Sequence, residues 1–125
     1  MCLHCHTVTV ATQIRDLNAL EAACRRLNLP QPKFGTHQLW AGQHATGFRI
    51  QLPAWNYPVV IDHENATATY DNYGGAWGDI AELHKLTQAY AVELERQRAN
   101  QLGYAVTETT EADGTIQLTC TSYGN

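Results

Sequence analysis

The sequence predicts one α+β domain over residues 1–125, with two helices packed on one face of an antiparallel sheet of about five to seven strands. Three observations lead to this prediction. The length of 125 residues and the 44% hydrophobic content suit a single core. Apolar residues recur at helical spacing in only two stretches. The other segments are short, rich in β-branched and aromatic residues, and separated by turn residues, which gives the order β-α-β-β-β-β-α-β-β.

The first strand and the first helix are predicted from a change of period. Residues 7–14 alternate between apolar and polar positions, as a half-buried strand does. Asp16 is a typical helix cap, and the helix predicted over residues 17–28 ends before Pro30. Cys24 lies in the apolar stripe of this helix, so we expect a buried core thiol.

The middle of the chain predicts four strands. A hairpin turn is expected at Asn65, between the third and the fourth of them. The strands are predicted over residues 34–41, 47–52, 57–62 and 66–73.

A long second helix and a closing hairpin follow. Asp79 and Glu82 have the spacing of a capping box, and the helix is expected to end near Gly103. Asp113-Gly114 marks the turn of the hairpin. We prefer a three-residue loop to a two-residue turn, because the longer loop brings Val106 opposite Cys120 on the apolar face.

Three runs in this order resemble a known family: HTVTVATQIRDLNAL, IAELHKLTQAYAVE and GYAVTETTEADGTIQLTCTSY. The chain is similar along nearly its whole length to domain-of-unknown-function family 1257. This family includes a hypothetical plastid-genome protein and relatives in cyanobacteria, other bacteria and phages. The resemblance implies a cytosolic or stromal protein and brings no established activity, cofactor or catalytic residue.

The composition argues against nucleic-acid and membrane partners. The formal net charge is −4, and the eight Lys and Arg residues form no run longer than Arg25-Arg26, so a nucleic-acid partner is not expected. No apolar run approaches the length of a membrane span, and the first ten residues do not look like a signal peptide. We therefore expect no membrane association and a cytoplasmic location in a bacterium, a plastid stroma or a phage-infected cell.

The opening stretch Cys2-x-x-Cys5-His6 is a candidate metal site. Covalent haem is not expected, because its attachment requires export and a segment before the first cysteine. Zinc would need four ligands, of which Cys2, Cys5 and either His6 or His4 could supply three. Cys120 could be the fourth if the first and last strands are antiparallel neighbours. A reversible Cys2–Cys5 disulfide and a chain end without a function remain open alternatives.

The second candidate site is the aromatic middle of the chain. Large rings with a polar edge suit stacking on a flat ligand, and the start of a helix can hold an anion. The alternative is that these rings fill the space between sheet and helix. Six aromatic residues fall in this stretch: Trp40, Trp55, Tyr57, Tyr70, Tyr73 and Trp77. The predicted ligand-binding set is Trp55, Tyr57, Tyr73, Trp77 and Arg49.

No catalytic residue is predicted, because neither the His63–Asp62 pair nor the His84–Asp79 pair accompanies a nucleophile motif. We therefore favour a non-enzymatic binding or adaptor protein for a small molecule or a protein partner, with a homodimer if apolar surface is exposed. One alternative is a phage or bacterial protein that sequesters a nucleotide-derived signal, which needs Arg49 or Lys33 beside the rings. The other is a metal- or redox-linked accessory protein.

Overall fold

A computed structural model describes residues 7–39 and 42–122 and confirms the predicted fold class and element order. Two α-helices and seven strands follow each other as the sequence predicts. Their bounds are β1 Val8–Ala11, α1 Leu17–Arg26, β2 Lys33–Gln38, β3 His44–Ile50, β4 Val59–Asp62, β5 Thr67–Tyr70, α2 Ile80–Gln101, β6 Tyr104–Thr110 and β7 Ile116–Ser122.

Five strands form one antiparallel sheet in the order β1-β5-β4-β3-β2. Alternation along the strands places Ile50, Ile61 and Ala68 on the face that meets both helices. Leu20 of α1 and Leu86 of α2 are fully buried against this face. The sheet therefore has one helix-covered face, which holds the main core.

Side chains of α2 fix the beginning of α1. The carboxylate of Asp16 accepts a hydrogen bond from the backbone N–H of Ala19 at 3.0 Å, which confirms Asp16 as the cap. The hydroxyl of Tyr90 accepts from the backbone N–H groups of Arg15 and Asp16, at 3.1 and 3.0 Å. Gln97 donates to the second Asp16 oxygen at 3.0 Å. The two helices are thus joined by polar contacts as well as by apolar packing.

Helix α2 begins and ends at the predicted signals. Asp79 accepts from the backbone N–H of Ala81 at 3.0 Å, while Glu82 pairs with Lys85 at 3.1 Å instead of reaching back to the cap. The helix ends before Gly103, whose φ of +84° is the left-handed conformation that suits glycine. Within the described ranges, no helix is long and apolar enough to cross a membrane.

Strands β6 and β7 form a separate two-stranded sheet that packs against α2. Val106 lies opposite Cys120, and the N–H of Glu111 donates to the carbonyl of Thr115 at 2.8 Å. Gly114 has a φ of +90°. This is the predicted three-residue loop and its register, which are confirmed.

A cluster of charged side chains holds this hairpin to both helices. The carboxylate of Glu108 on β6 accepts from Arg26 of α1 at 3.0 Å and from Arg96 of α2 at 2.9 Å. Arg26 also pairs with Glu93 of α2 at 2.8 Å. The hairpin buries little apolar surface, so these charged contacts are a substantial part of its attachment.

Candidate ligand-binding site

The structure divides the described rings of the aromatic middle into a buried pair and a partly exposed cluster. Trp55 and Tyr70 pack edge to face in the core, with ring centroids 5.6 Å apart. The rings of Tyr57, Tyr73 and Trp77 form the second group, which we call the ring platform. Tyr73 stacks on Trp77 with centroids 4.6 Å apart and planes inclined by 22°, and Tyr57 contacts Trp77 at 5.7 Å.

Trp55 lies in the core against Gly78 and is not one of the platform rings. Its side chain is only 4% exposed, and its indole N–H donates to the carbonyl of Asp79 at 3.1 Å. A Cβ on Gly78 would overlap the Trp55 ring, so the chain before α2 can approach this ring only because residue 78 is glycine. Of the predicted ligand-binding set, Trp55 is therefore a core residue that positions the loop.

Hydrogen bonds fix the loop that carries Tyr73 and Trp77. The N–H of Trp77 donates to the carbonyl of Asn72 at 2.9 Å, and the Asn72 amide donates to the carbonyl of Gly78 at 3.2 Å. A second loop joins it where the N–H of Asn56 donates to the carbonyl of Trp77 at 2.9 Å. The rings are consequently held on a closed backbone frame.

Tyr73 has an unfavourable backbone conformation. Its φ of +48° lies in the left-handed region, which costs a non-glycine residue about 1–2 kcal/mol. The N–H of Tyr73 donates to a carboxylate oxygen of Asp71 at 3.2 Å, and the Tyr73 side chain is 47% exposed. Strain of this kind concentrates at functional positions, because the surrounding structure has to hold it in place.

Asp71 is a feature of the site that sequence reasoning missed. The residue is 1% exposed, and its second carboxylate oxygen has no hydrogen-bond partner within the described ranges. The hydroxyl of Thr7 is likewise buried and has no hydrogen-bond partner among the described residues. The β1–β5 register that pairs Val8 with Tyr70 brings Thr7 opposite Asp71. A buried acceptor without a hydrogen-bond partner reduces the stability of the fold, so Asp71 is an energetically unfavourable residue next to Tyr73.

Arg49 does not join the rings. It lies on β3 between Lys33 and Val60, on the sheet face opposite to the core residue Ile50. Lys33 and Arg49 are cross-strand neighbours, so the two cations that a phosphate site would need are together but are not in the ring cluster. The beginning of α2 is also unsuited to an anion, because the negative Asp79 carboxylate is already there and accepts from the N–H of Ala81.

Three of the four residues of the predicted metal centre, Cys2, Cys5 and His6, lie outside the described ranges. The condition under which Cys120 would be their neighbour is not met: β1 pairs with β5, whereas Cys120 is exposed on β7 in the other sheet. No group of three or more His, Cys, Asp or Glu side chains among residues 7–39 and 42–122 could hold a metal ion.

Two further expectations concern single side chains. Cys24 is buried, and its burial raises the pKa of the thiol to about 11, so it is the core thiol that the sequence predicts. The carboxylate of Asp62 accepts from Asn65 and from the N–H of Glu64, and these bonds lower the pKa of Asp62. Asp62 therefore shapes the turn beside His63.

The fold and the loop together define a small α+β protein that presents a supported ring platform beside the start of a long helix. Comparisons with protein-family models, curated proteins and solved structures found no match to the chain. The resemblance to domain-of-unknown-function family 1257 therefore stays a prediction, and the proposals below depend on the site's geometry.

Proposed function

We propose that the chain is a non-enzymatic binding protein of the cytoplasm whose ring platform stacks on a planar small molecule. The observation that carries this proposal is Tyr73, half exposed on a strained backbone and stacked on Trp77 at 4.6 Å. A ring that served only to fill the core would be buried, as the Trp55 ring is. The polar group next to the platform, the Asp71 carboxylate, is 1% exposed and accepts from the N–H of Tyr73, so the ligand is recognised by stacking on the rings.

The nucleotide-sequestering alternative has less support. It needs cations beside the rings, whereas Lys33 and Arg49 are cross-strand neighbours on the sheet face opposite to the core residue Ile50. The metal-linked alternative depends on Cys2, Cys5 and His6, which lie outside the described ranges. We therefore propose recognition of the ring itself without a phosphate group.

A titration with adenine tests this proposal, because adenine is a planar ring system without a phosphate group. Binding is followed by the shifts of protein amide signals in NMR spectra. Loss of one stacking ring costs about 1–3 kcal/mol, so we expect Tyr73→Ala to weaken adenine binding about tenfold. N6,N6-dimethyladenine keeps the planar ring system and should also bind to the unchanged protein, because recognition depends on stacking.

Tyr104→Ala is the matched control, since Tyr104 is an exposed tyrosine on β6 and belongs to another sheet. This variant should bind adenine like the unchanged protein. If neither compound shifts the amide signals of the loop around Tyr73 and Trp77, or if both variants bind alike, the proposed function is wrong.

A further inference from the structure

A second concave surface lies beside the polar contacts that Tyr90 makes with the start of α1. It is a cleft between α2 and the segment that contains β1 and the start of the β1–α1 connection. The cleft has two lobes of about 340 and 300 Å³, and both are lined by Ala11, Ile14 and Thr87. None of the three platform rings lines it, so it is independent of the proposed function.

The sequence of α2 explains why the cleft exists. Thr87, Ala91 and Leu94 lie on the same helix face at spacings of four and three residues, and they line the first lobe. The small side chains of Thr87 and Ala91 are exposed. They leave open the space that larger residues would fill against β1, while Ile14 and Leu94 make the lobe apolar.

The rim of the cleft is an unpaired strand edge. Among residues 7–39 and 42–122, strand β1 pairs only with β5, and the N–H of Thr12 donates to the carbonyl of Ala66 at 2.9 Å on that side. Because successive residues of an antiparallel strand alternate in direction, the backbone groups of Thr9 and Ala11 point away from β5. Neither residue's N–H has a hydrogen-bond partner in the described part of the chain.

One end of the cleft carries a cation. A polar pocket that shares Gln13, Tyr90 and Leu94 with the first lobe is also lined by Arg15 and Arg98. Arg98 is paired with Glu95 at 3.3 Å. Arg15 donates to the backbone carbonyl of Glu64 at 3.3 Å and forms no ion pair with a described carboxylate. Arg15 therefore offers a positive charge to a ligand that enters from this end.

We propose that this cleft binds an extended peptide, which adds as a strand to the free edge of β1 and directs a carboxylate toward Arg15. Strand addition satisfies the unpaired groups of Thr9 and Ala11, and the lobes take apolar side chains of the peptide. Residues of one face recur every two positions, about 6.8 Å, which is the spacing of the rim groups. An aliphatic ligand would fill the lobes but would cover these backbone groups without hydrogen bonds.

Selection from a library of random octapeptides with free C-terminal carboxylates tests the proposal. We expect enriched peptides with alternating apolar residues whose affinity falls at least tenfold in Ala91→Trp, because the indole fills the first lobe. Ala81→Trp is the matched control, since Ala81 is exposed on α2 outside these lobes and should leave binding unchanged. Arg15→Gln should weaken the selected peptides several-fold, and it should not weaken their C-terminal amides further.

A measurement on the unchanged protein does not depend on any variant folding. Bound peptide should slow hydrogen exchange of the backbone amides of Thr9 and Ala11, because these N–H groups become hydrogen bonded. No enrichment, or enriched peptides that leave both amides unprotected, overturns the proposal. It is also overturned if dodecanoate, but no peptide, binds in a way that Ala91→Trp abolishes. Self-association that Ala91→Trp abolishes would overturn it in favour of a second copy of the chain.

Discussion

Glu108→Gln should loosen the hairpin from the helices. The Glu108 side chain is 22% exposed and accepts from two guanidinium groups, at 3.0 Å from Arg26 and 2.9 Å from Arg96. Hydrogen bonds to charged groups contribute about 1.5–3 kcal/mol, and Arg26 keeps Glu93 as a partner at 2.8 Å. We therefore expect a loss of about 2 kcal/mol in the free energy of unfolding. Thermal unfolding followed by circular dichroism should show a decrease of about 8 °C in Tm.

Glu95→Gln is the control for this prediction. Glu95 pairs with Arg98 on the same helix face at 3.3 Å, but its side chain is 59% exposed, so its removal should cost less than about 0.5 kcal/mol. Equal melting temperatures for the two variants would refute the reasoning, because burial of the Glu108 cluster would then have no effect.

The pH dependence gives a second check on Glu108. Hydrogen bonds from Arg26, and then the charges of Arg26 and Arg96, lower the pKa of Glu108 in the folded protein. A carboxylate with a lowered folded pKa stabilises the fold above its unfolded pKa of about 4.3, and this contribution is lost as the pH falls through the folded value. The stability difference between the unchanged protein and Glu108→Gln should therefore shrink below about pH 4. A difference that stayed constant from pH 7 to about pH 3 would contradict the ionic assignment.

Two further substitutions test the supports of the fold and of the site. Gly78→Ala should cost about 1–3 kcal/mol of stability, because the added methyl group displaces the Trp55 ring. The near-UV circular dichroism should change as a result, and an unchanged spectrum would contradict this packing. Tyr90→Phe should lower the free energy of unfolding by about 2 kcal/mol, because the N–H groups of Arg15 and Asp16 lose their acceptor. Hydrogen exchange of these two amides should become faster, and unchanged exchange rates would contradict the prediction.

The elements of the fold were predictable because each has a local signal. Asp16 and Asp79 cap the helices through their own side chains, and both caps were predicted from residue type and position. Asp113-Gly114 and the apolar face of the hairpin together set the register that pairs Val106 with Cys120. Strand ends were less predictable: the first strand ends at Ala11 rather than at residue 14, because the chain turns there toward the Asp16 cap.

The place of the hairpin was not predictable from local signals. The pairing of β1 with β5 and the separation of β7 from both are consequences of long-range packing, and no residue within either strand specifies them. On α2, Glu93 and Arg96 have the pattern of a solvated helix face. They meet Arg26 and Glu108 only because the hairpin folds back over the helix. The charge pattern of the helix alone therefore indicates exposed side chains, whereas the tertiary structure gathers them into a half-buried cluster.

The arrangement of the candidate site was also not predictable from local signals. Trp55 and Tyr57 are two positions apart, yet one ring is in the core and the other is on the platform. Their difference depends on Gly78, whose missing side chain admits the Trp55 ring beneath the loop. Trp77 directly precedes this glycine, and Tyr73, which has a positive φ, stacks on Trp77 in the same loop. The glycine, the buried tryptophan and the strained tyrosine thus act together, so recognition by the platform should depend on Gly78 even though a ligand never touches it.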